Sequence, residues 1–221
     1  MLELLSAGGY LMVPIVACSV VAFAIVLERF WALQRSKVIP GFLLVEIRKW
    51  RRDGGLDAAR LNALESHSPL GRVLAAGLPN GGRDRAQLDR EQTKERVEDA
   101  GRHVGLELER YLTALGTIAA ISPLLGLLGT VVGMIEVFAV ITAHGVGDPT
   151  VLSSGISQAL VTTAGGLVVA IPALIFHRYF RARVRELVFD MERESLKLVD
   201  LIHEADPGMK PAQTDAVRSV G

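Results

Sequence analysis

The middle of the chain contains a long uncharged run, Tyr111–Ile135, which reads YLTALGTIAAISPLLGLLGTVVGMI. Two further uncharged runs flank it, Tyr10–Leu27 and Pro149–Phe176. A helix of about 20 apolar residues crosses the ~30 Å hydrocarbon core of a bilayer, so each run is long enough to span a membrane. A single run of this kind could be the core helix of a soluble domain. Three runs in 221 residues predict an all-α membrane protein with three transmembrane helices.

The positions of the basic residues predict which side of the membrane each segment occupies. Of the 24 Lys and Arg residues, sixteen lie between Arg29 and Arg110 and eight between Arg178 and Arg218. Neither the residues before the first run nor the turn between the second and third runs contain any. The positive-inside rule therefore places the long middle segment and the C-terminus in the cytoplasm. The first run lacks the basic n-region of a cleaved signal peptide, so it is predicted to be a retained anchor with its N-terminus outside.

These patterns divide the chain into seven predicted segments. They are an external N-terminus with the first span (1–34), a cytoplasmic helical region (35–110), the second span (111–141), a short external loop (142–150), the third span (151–178), a cytoplasmic helix (179–204) and a disordered polar tail (205–221). Pro207, Gly208 and Pro211 in the tail favour disorder. Cys18, the single cysteine, is interpreted as a small apolar packing residue of the first span.

Helical spacing predicts that all three spans continue into the cytoplasm as long helices. The first is expected to reach about Trp50, and the second to be part of one helix from about Asp84 to Ile141. Two short helices, Leu56–Glu65 and Pro69–Leu78, and a turn at Pro79–Gly82 are expected between them. The apolar stripes that support the extensions are Leu43, Leu44 and Ile47 after the first span, Val97, Val104 and Leu108 before the second, and Val184, Leu187, Met191, Leu198 and Leu201 after the third.

The second and third spans each have one side rich in small residues. On a wheel of 3.6 residues per turn, one side of the second span collects Ala119, Ser122, Pro123, Gly126, Gly129, Thr130 and Gly133, and the other Ile121, Leu124, Leu128, Val131 and Ile135. The third span carries a ridge of Gly155, Ala159, Thr163, Gly166 and Ala170. Small residues let membrane helices approach closely, so these sides are predicted to pack against protein.

Polar side chains lie beside this ridge and inside the second span. Ser154, Gln158 and Thr162 follow one another at intervals of four residues. Hydroxyl and amide groups in hydrocarbon need partners or water, so the line forms either interhelical hydrogen bonds or the wall of a hydrated pathway. Glu136, at a depth comparable to that of Gln158, is either a functional intramembrane carboxylate or an interfacial residue that reaches the outer headgroups.

Two strings of the spans resemble the ExbB/TolQ/MotA proton-channel family, and most closely a short ExbB. They are ISPLLGLLGTVVGMIEVF (Ile121–Phe138) and GISQALVTTAGGLVVAIPAL (Gly155–Leu174), with the Gly129–Thr130 pair and the ending Ala170–Pro172. The resemblance implies a homopentameric ring in a bacterial inner membrane, so that the external side is periplasmic. It also implies a single-span ExbD- or TolR-type partner whose intramembrane Asp carries the proton. The expected output is energy for outer-membrane transport through a TonB-type transducer, or, for a TolQ-like subunit, envelope constriction.

The resemblance assigns roles to individual residues. Thr130 and Thr163 match the pore threonines of the family, and Gln158 stands where many members carry a Glu. An amide cannot titrate, so either the partner's Asp is sufficient or Glu136 supplies a carboxylate. The expected ion-pathway residues are Thr130, Thr163, Gln158, Thr162 and Glu136. The expected helix-packing residues are Gly126, Gly129, Gly133, Gly155, Ala159, Gly166 and Pro172.

Other classes of function find less support in the sequence. The five histidines show no metal-ligand spacing, and the glycines lie in apolar runs rather than after a strand, so neither an enzyme nor a cofactor or metal site is expected. A formal net charge of +0 gives no indication of nucleic-acid binding, which leaves membrane lipid and partner proteins. A flagellar stator of the MotA type generally has four spans. A scaffold that only holds a partner protein remains an alternative.

Overall fold

The computed structural model describes residues 8–52, 58–78, 90–145 and 149–203. Their regular structure is helical throughout, as predicted. The seven helices of this part are α1 (Met12–Ala32), α2 (Arg35–Val38), α3 (Leu43–Arg52), α4 (Ala58–His67), α5 (Pro69–Gly77), α6 (Arg90–His144) and α7 (Pro149–His203). Three of them contain stretches long and apolar enough to cross a membrane, Met12–Ala32, Arg90–Ala143 and Leu152–Asp200. The expectation of three candidate spans is therefore confirmed.

The second and third spans belong to two helices of 55 residues each. This confirms that the spans continue without a break into their charged extensions. At the connection between the two long helices, both helices are longer than expected, because α6 runs to His144 and α7 begins at Pro149. Much of the predicted loop 142–150 is therefore helical. Pro123 and Pro172 lie inside these helices, which membrane helices tolerate more readily than soluble ones.

The prediction that the first helix continues to about Trp50 is wrong. Helix α1 ends at Ala32, where Leu33 turns out of the helical region with φ −87° and ψ 20°. A short turn follows, and Pro40 then prevents a continuous helix because it has no N–H to donate and disfavours helical geometry at the residue before it. The new helix α3 starts at Leu43. Leu43 and Ile47 of the predicted stripe are nonetheless buried.

The two short helices are present with shifted ends. Helix α4 covers Ala58–His67 rather than ending at Glu65, and residues 56 and 57 lie outside the described residues. Helix α5 starts as predicted, because Ser68 accepts a hydrogen bond from the Gly71 N–H at 3.0 Å and Pro69 occupies the first helical position. The expected turn at Pro79–Gly82, the start of the second long helix and the tail 205–221 also lie outside the described residues.

The chain forms two compact units. The first comprises Met1–Gln34 and Leu106–Glu186, and the second Arg35–Gly105 and Leu187–Gly221. In the second unit α4, α5 and the extensions of α6 and α7 enclose an apolar core, in which Leu64, Leu70 and Leu74 are almost inaccessible. The predicted stripe residues Val97, Val104, Leu187, Met191 and Leu198 of this unit are buried as well. Their burial confirms the helical spacing found in the sequence.

In the first unit the C-terminal end of α1 contacts both long helices. The Arg29 side chain is 6% exposed, and its Nη1 donates to the Leu108 carbonyl of α6 at 2.9 Å. Its guanidinium also lies 4.8 Å from the centre of the Tyr111 ring. The next residue, Phe30, meets Phe180 of α7 edge to face with ring centroids 5.0 Å apart. Adjacent residues of α1 thus bind different helices.

Replacing Arg29 should therefore destabilise the first unit. We expect Arg29→Met, which keeps most of the apolar stem, to lower the free energy of unfolding by about 1.5–3 kcal/mol through loss of a charge-assisted hydrogen bond. The measurement is the thermal unfolding midpoint of the purified protein in detergent. Arg185→Met, at an exposed position of the same unit, is the control. Equal midpoints for the two variants would contradict this role of Arg29.

Candidate functional site

Helices α6 and α7 meet through a small-residue interface, formed by Gly126, Gly129 and Gly133 of α6 and Gly155, Ala159 and Gly166 of α7. A Cβ atom added at Gly126 would lie 3.0 Å from the Thr163 Cα, and one added at Gly166 would lie 2.5 Å from the Ser122 carbonyl oxygen. One added at Gly133 would lie 3.0 Å from the Ala159 Cβ. These separations mean that the two helices touch at the level of their backbones.

The predicted division of the second span into two sides is confirmed. Ala119, Ser122, Gly126, Gly129 and Gly133 are buried, and Pro123 and Thr130 are half-buried, whereas Ile121, Leu124, Leu128, Val131 and Ile135 are exposed. On α7, Ala159, Gly166 and Ala170 are buried, and Gly155 and Thr163 are half-buried. Pro172 is exposed, so within one chain it does not pack against α6.

The Thr163 hydroxyl crosses this interface. Its Oγ1 donates to the Gly126 carbonyl of α6 at 2.8 Å. That carbonyl is within reach because Gly126 has no side chain and the backbones approach closely. Of the predicted ion-pathway residues, Thr163 is thus the one that joins the two spans directly.

Thr162 faces a different neighbour and is 1% exposed. Its Oγ1 lies 2.8 Å from the Gly8 carbonyl, just before α1, and 2.8 Å from the Gln158 carbonyl of its own helix. A Cβ added at Gly129 would collide with the Thr162 side chain, so the side chain also fills the space that this glycine leaves open. Thr162 therefore contacts both other elements of the membrane part.

The Gln158 side chain also faces the residues before α1. It is half-buried, and a Cβ added at Gly9 would collide with its Nε2 atom. A wheel at 3.6 residues per turn separates Gln158 from Thr163 by about 140°. The structure accordingly directs Gln158 toward Gly9 and Thr163 toward α6, so the two side chains do not share one point within the chain.

Thr130 and Glu136 lie apart from this group. The Thr130 hydroxyl donates to the Leu127 carbonyl of its own helix at 2.7 Å. Glu136 is exposed, and the described part of the chain gives it no hydrogen bond or ion pair. Glu136 and Gln158 were predicted to lie at comparable depth, but the Gln158 side chain is directed toward Gly9.

Gly8, Gly9 and Ser122 were not predicted from the sequence to belong to the site. The Gly8–Gly9 pair is a local signal for a turn, but nothing in the order of residues links it to positions 158 and 162. Within the described ranges, no group of three or more His, Cys, Asp and Glu side chains is arranged to hold a metal ion.

Comparison with known proteins identifies the family. Residues 65–193 match the MotA/TolQ/ExbB proton channel family. The chain belongs to this family. The match includes the small-residue interface and the threonines of both spans, and three apolar helices of span length accord with a membrane location.

Relatives named as ExbB proteins align over most of the chain. Biopolymer transport protein ExbB-like 3 of Synechocystis sp. is 30% identical over 181 residues, which are 80% of this chain and 82% of the relative. The biopolymer transport protein ExbB of Salmonella typhimurium is 30% identical over 77% of this chain and 74% of its own length. An ExbB biopolymer transport protein of Vibrio cholerae reaches 52% identity over 66 residues, 29% of this chain and 28% of the relative. The expected ExbB-type resemblance is thus confirmed.

The small-residue interface should tolerate no added methyl group. We expect Gly166→Ala to lower the free energy of unfolding by about 1–3 kcal/mol, because its Cβ would press on the Ser122 carbonyl and force the helices apart. The control is Gly101→Ala, also in a long helix, where an added Cβ meets no atom within 4 Å. Alanine there should be neutral or stabilise by up to about 1 kcal/mol. Thermal unfolding in detergent measures both, and a Gly166→Ala variant as stable as Gly101→Ala would contradict the close contact.

Proposed function

We propose that this protein is the ExbB-type channel-forming subunit of a bacterial inner-membrane motor, which uses the proton motive force to energise outer-membrane transport. The observation that supports this most is the small-residue interface of α6 and α7 with the Thr162–Thr163 pair beside it. It lies within the residues that match the proton channel family. The partners are other copies of the chain, an ExbD/TolR-type single-span subunit, a TonB-type transducer and membrane lipid.

A ring of subunits suits the surfaces that one chain leaves exposed. Of the most apolar window in each span, only 28%, 22% and 28% of residues are buried. Three helices cannot enclose a pore, so a pathway requires further helices at these exposed surfaces. The half-exposed Thr130 and the exposed Glu136 lie where neighbouring subunits or a central partner can reach them. A homopentamer around a partner helix is the arrangement that the family resemblance implies.

The proposed orientation follows from charge. The outer turn contains no Lys or Arg, whereas segments 35–110 and 179–204 contain many, which favours a periplasmic N-terminus and a cytoplasmic C-terminus. In this orientation Thr162 and Gln158 lie in the outer half of the membrane. A proton that enters from the periplasm would meet this region first.

The carboxylate that carries the proton is proposed to come from the partner. The Gln158 amide does not titrate, and the three threonine hydroxyls act as hydrogen-bond donors to carbonyls. Glu136 is exposed, which suits a modulating role at the outer end of the pathway. A proton that crosses ~100 mV releases ~2.3 kcal/mol, several times RT and sufficient to bias a two-state rearrangement of helices.

Two alternative functions are distinguishable. A TolQ-like subunit of the Tol–Pal envelope system would share the family and the fold, but would serve envelope constriction rather than uptake of outer-membrane cargo. A non-conducting scaffold is favoured by one specific observation, namely that the Thr162 and Thr163 hydroxyls already bind protein carbonyls. In a scaffold these hydroxyls would only join helices.

Proton-linked transport by the chain, co-expressed with its single-span partner, tests the proposal. We expect a partner without its membrane Asp to abolish transport, and Thr163→Val to reduce it at least tenfold because the isosteric side chain cannot donate. Thr163→Ser, which retains the hydroxyl, should keep most of the activity. Glu136→Gln should reduce transport by less than Thr163→Val.

Each complex is first shown to assemble in wild-type amounts, so that a loss of transport is not a loss of protein. Unchanged transport in all four variants would favour the scaffold. Loss of transport in Glu136→Gln with an intact complex would instead assign the missing carboxylate to Glu136.

A further inference from the structure

Gly8 and Gly9, which we call the N-terminal turn, lead directly into the first span. The Gly9 carbonyl accepts a hydrogen bond from the Met12 N–H at 3.1 Å, so the turn forms the start of α1. Gly9 has φ +67°, a left-handed conformation that glycine adopts without penalty and that most other residues resist. The position of the turn is therefore set by the helix that follows it.

The N-terminal turn lies against two residues of the polar line of α7 (Ser154, Gln158 and Thr162), and Met12 of α1 extends the contact to Gly165. The Gly8 carbonyl is 2.8 Å from the Thr162 hydroxyl, and Gly9 lies directly against the Gln158 amide. One helical turn further on, a Cβ added at Gly165 would lie 3.0 Å from the Met12 Cε. Two expected ion-pathway residues, Gln158 and Thr162, are thus in contact with the chain's own N-terminal segment, and Thr162 also contacts Gly129 of α6.

The Thr162 hydroxyl has two acceptors at equal distance. The Gly8 and Gln158 carbonyl oxygens are both 2.8 Å away, and a hydroxyl has one proton to donate. When it donates to Gly8 it fastens the turn to α7. When it donates to Gln158 it remains paired within its own helix, and the turn is released. The contact can therefore open without leaving the hydroxyl unpaired in an apolar environment.

We infer that the N-terminal turn is a positioning element of the ion pathway, which holds the Gln158 amide and the Thr162 hydroxyl from the outer side of the membrane. The inference rests on the proposed function, because it specifies how two residues of that pathway are oriented. Gly9 is required at its place for two separate reasons. A side chain there would be strained at φ +67°, and its Cβ would displace the Gln158 amide.

Comparison of Gly9 with Gly145 separates the effect of backbone strain from the effect of the contact with Gln158. Gly145 has φ +74°, close to the value at Gly9, but an added Cβ meets no atom within 4 Å. Gly145→Ala therefore introduces the backbone strain without the contact. In the assembled complex with its partner, we expect Gly9→Ala to lower proton-linked transport at least tenfold and Gly145→Ala to lower it less than twofold.

Two further variants show whether Gly9 acts through the polar line. Gln158→Asn shortens the side chain by one methylene, so Gly9→Ala combined with Gln158→Asn should transport as well as Gln158→Asn alone. Thr162→Val removes the donor to Gly8 and should lower transport as Gly9→Ala does, whereas Thr162→Ser, which keeps the hydroxyl, should lower it less. The double variant Gly9→Ala/Thr162→Val should transport no less than either single variant, because both changes disrupt the same contact between the N-terminal turn and α7.

The outcomes separate this inference from the proposed function. If wild-type transport depends on the partner's Asp but Gly9→Ala equals Gly145→Ala, the turn has no positioning role and the proposed function stands. Additive losses in the Gly9 and Thr162 double variant would also overturn the positioning role. If wild-type transport is independent of the partner's Asp, the proposed function fails, and with it the role of the turn in ion movement.

Discussion

The membrane part of this protein depends on the need to pair every polar group where water is absent. Hydroxyls in the described part of the second and third spans meet this need by donating to backbone carbonyls, as four of them illustrate. Ser122 and Thr130 donate within α6, Thr163 donates from α7 to α6, and Thr162 reaches the residues before α1. The last two bonds are possible because glycines let the backbones come close. Glycine spacing and hydroxyl position are thus two parts of one arrangement.

This arrangement makes α6 and α7 a closely coupled pair. A helix that touches its neighbour through glycine backbones cannot slide without lifting out of contact, because packed interfaces deform in discrete steps. Helix α1 is fastened to the same pair near both of its ends, by the N-terminal turn at one and by Arg29 and Phe30 at the other. In the proposed motor, movement would therefore occur at the surfaces that a single chain leaves exposed, where the proposed subunits and partner helices would meet.

The repeat of small residues in α6 and α7 was sufficient to predict which sides are buried, because burial there follows directly from helical periodicity. The end of α1 was predicted wrongly, because the apolar spacing of Leu43 and Ile47 belongs to a separate helix that starts after Pro40. The partners of Thr162 and Gln158 could not be predicted. They belong to a turn more than 140 residues away in sequence, and pairing over such a distance depends on the tertiary packing.

The surroundings of Gln158 offer a physical reason for its departure from the Glu found in many family members. Its side chain lies against Gly9, in the same turn as the Gly8 carbonyl that Thr162 engages. An amide can donate to carbonyl oxygens in such a place, whereas an ionised carboxylate only accepts and would be held beside oxygens of like partial charge. A close-fitting N-terminal turn and an ionised carboxylate at position 158 are therefore poorly compatible, which accords with the proposal that the proton carrier belongs to another helix.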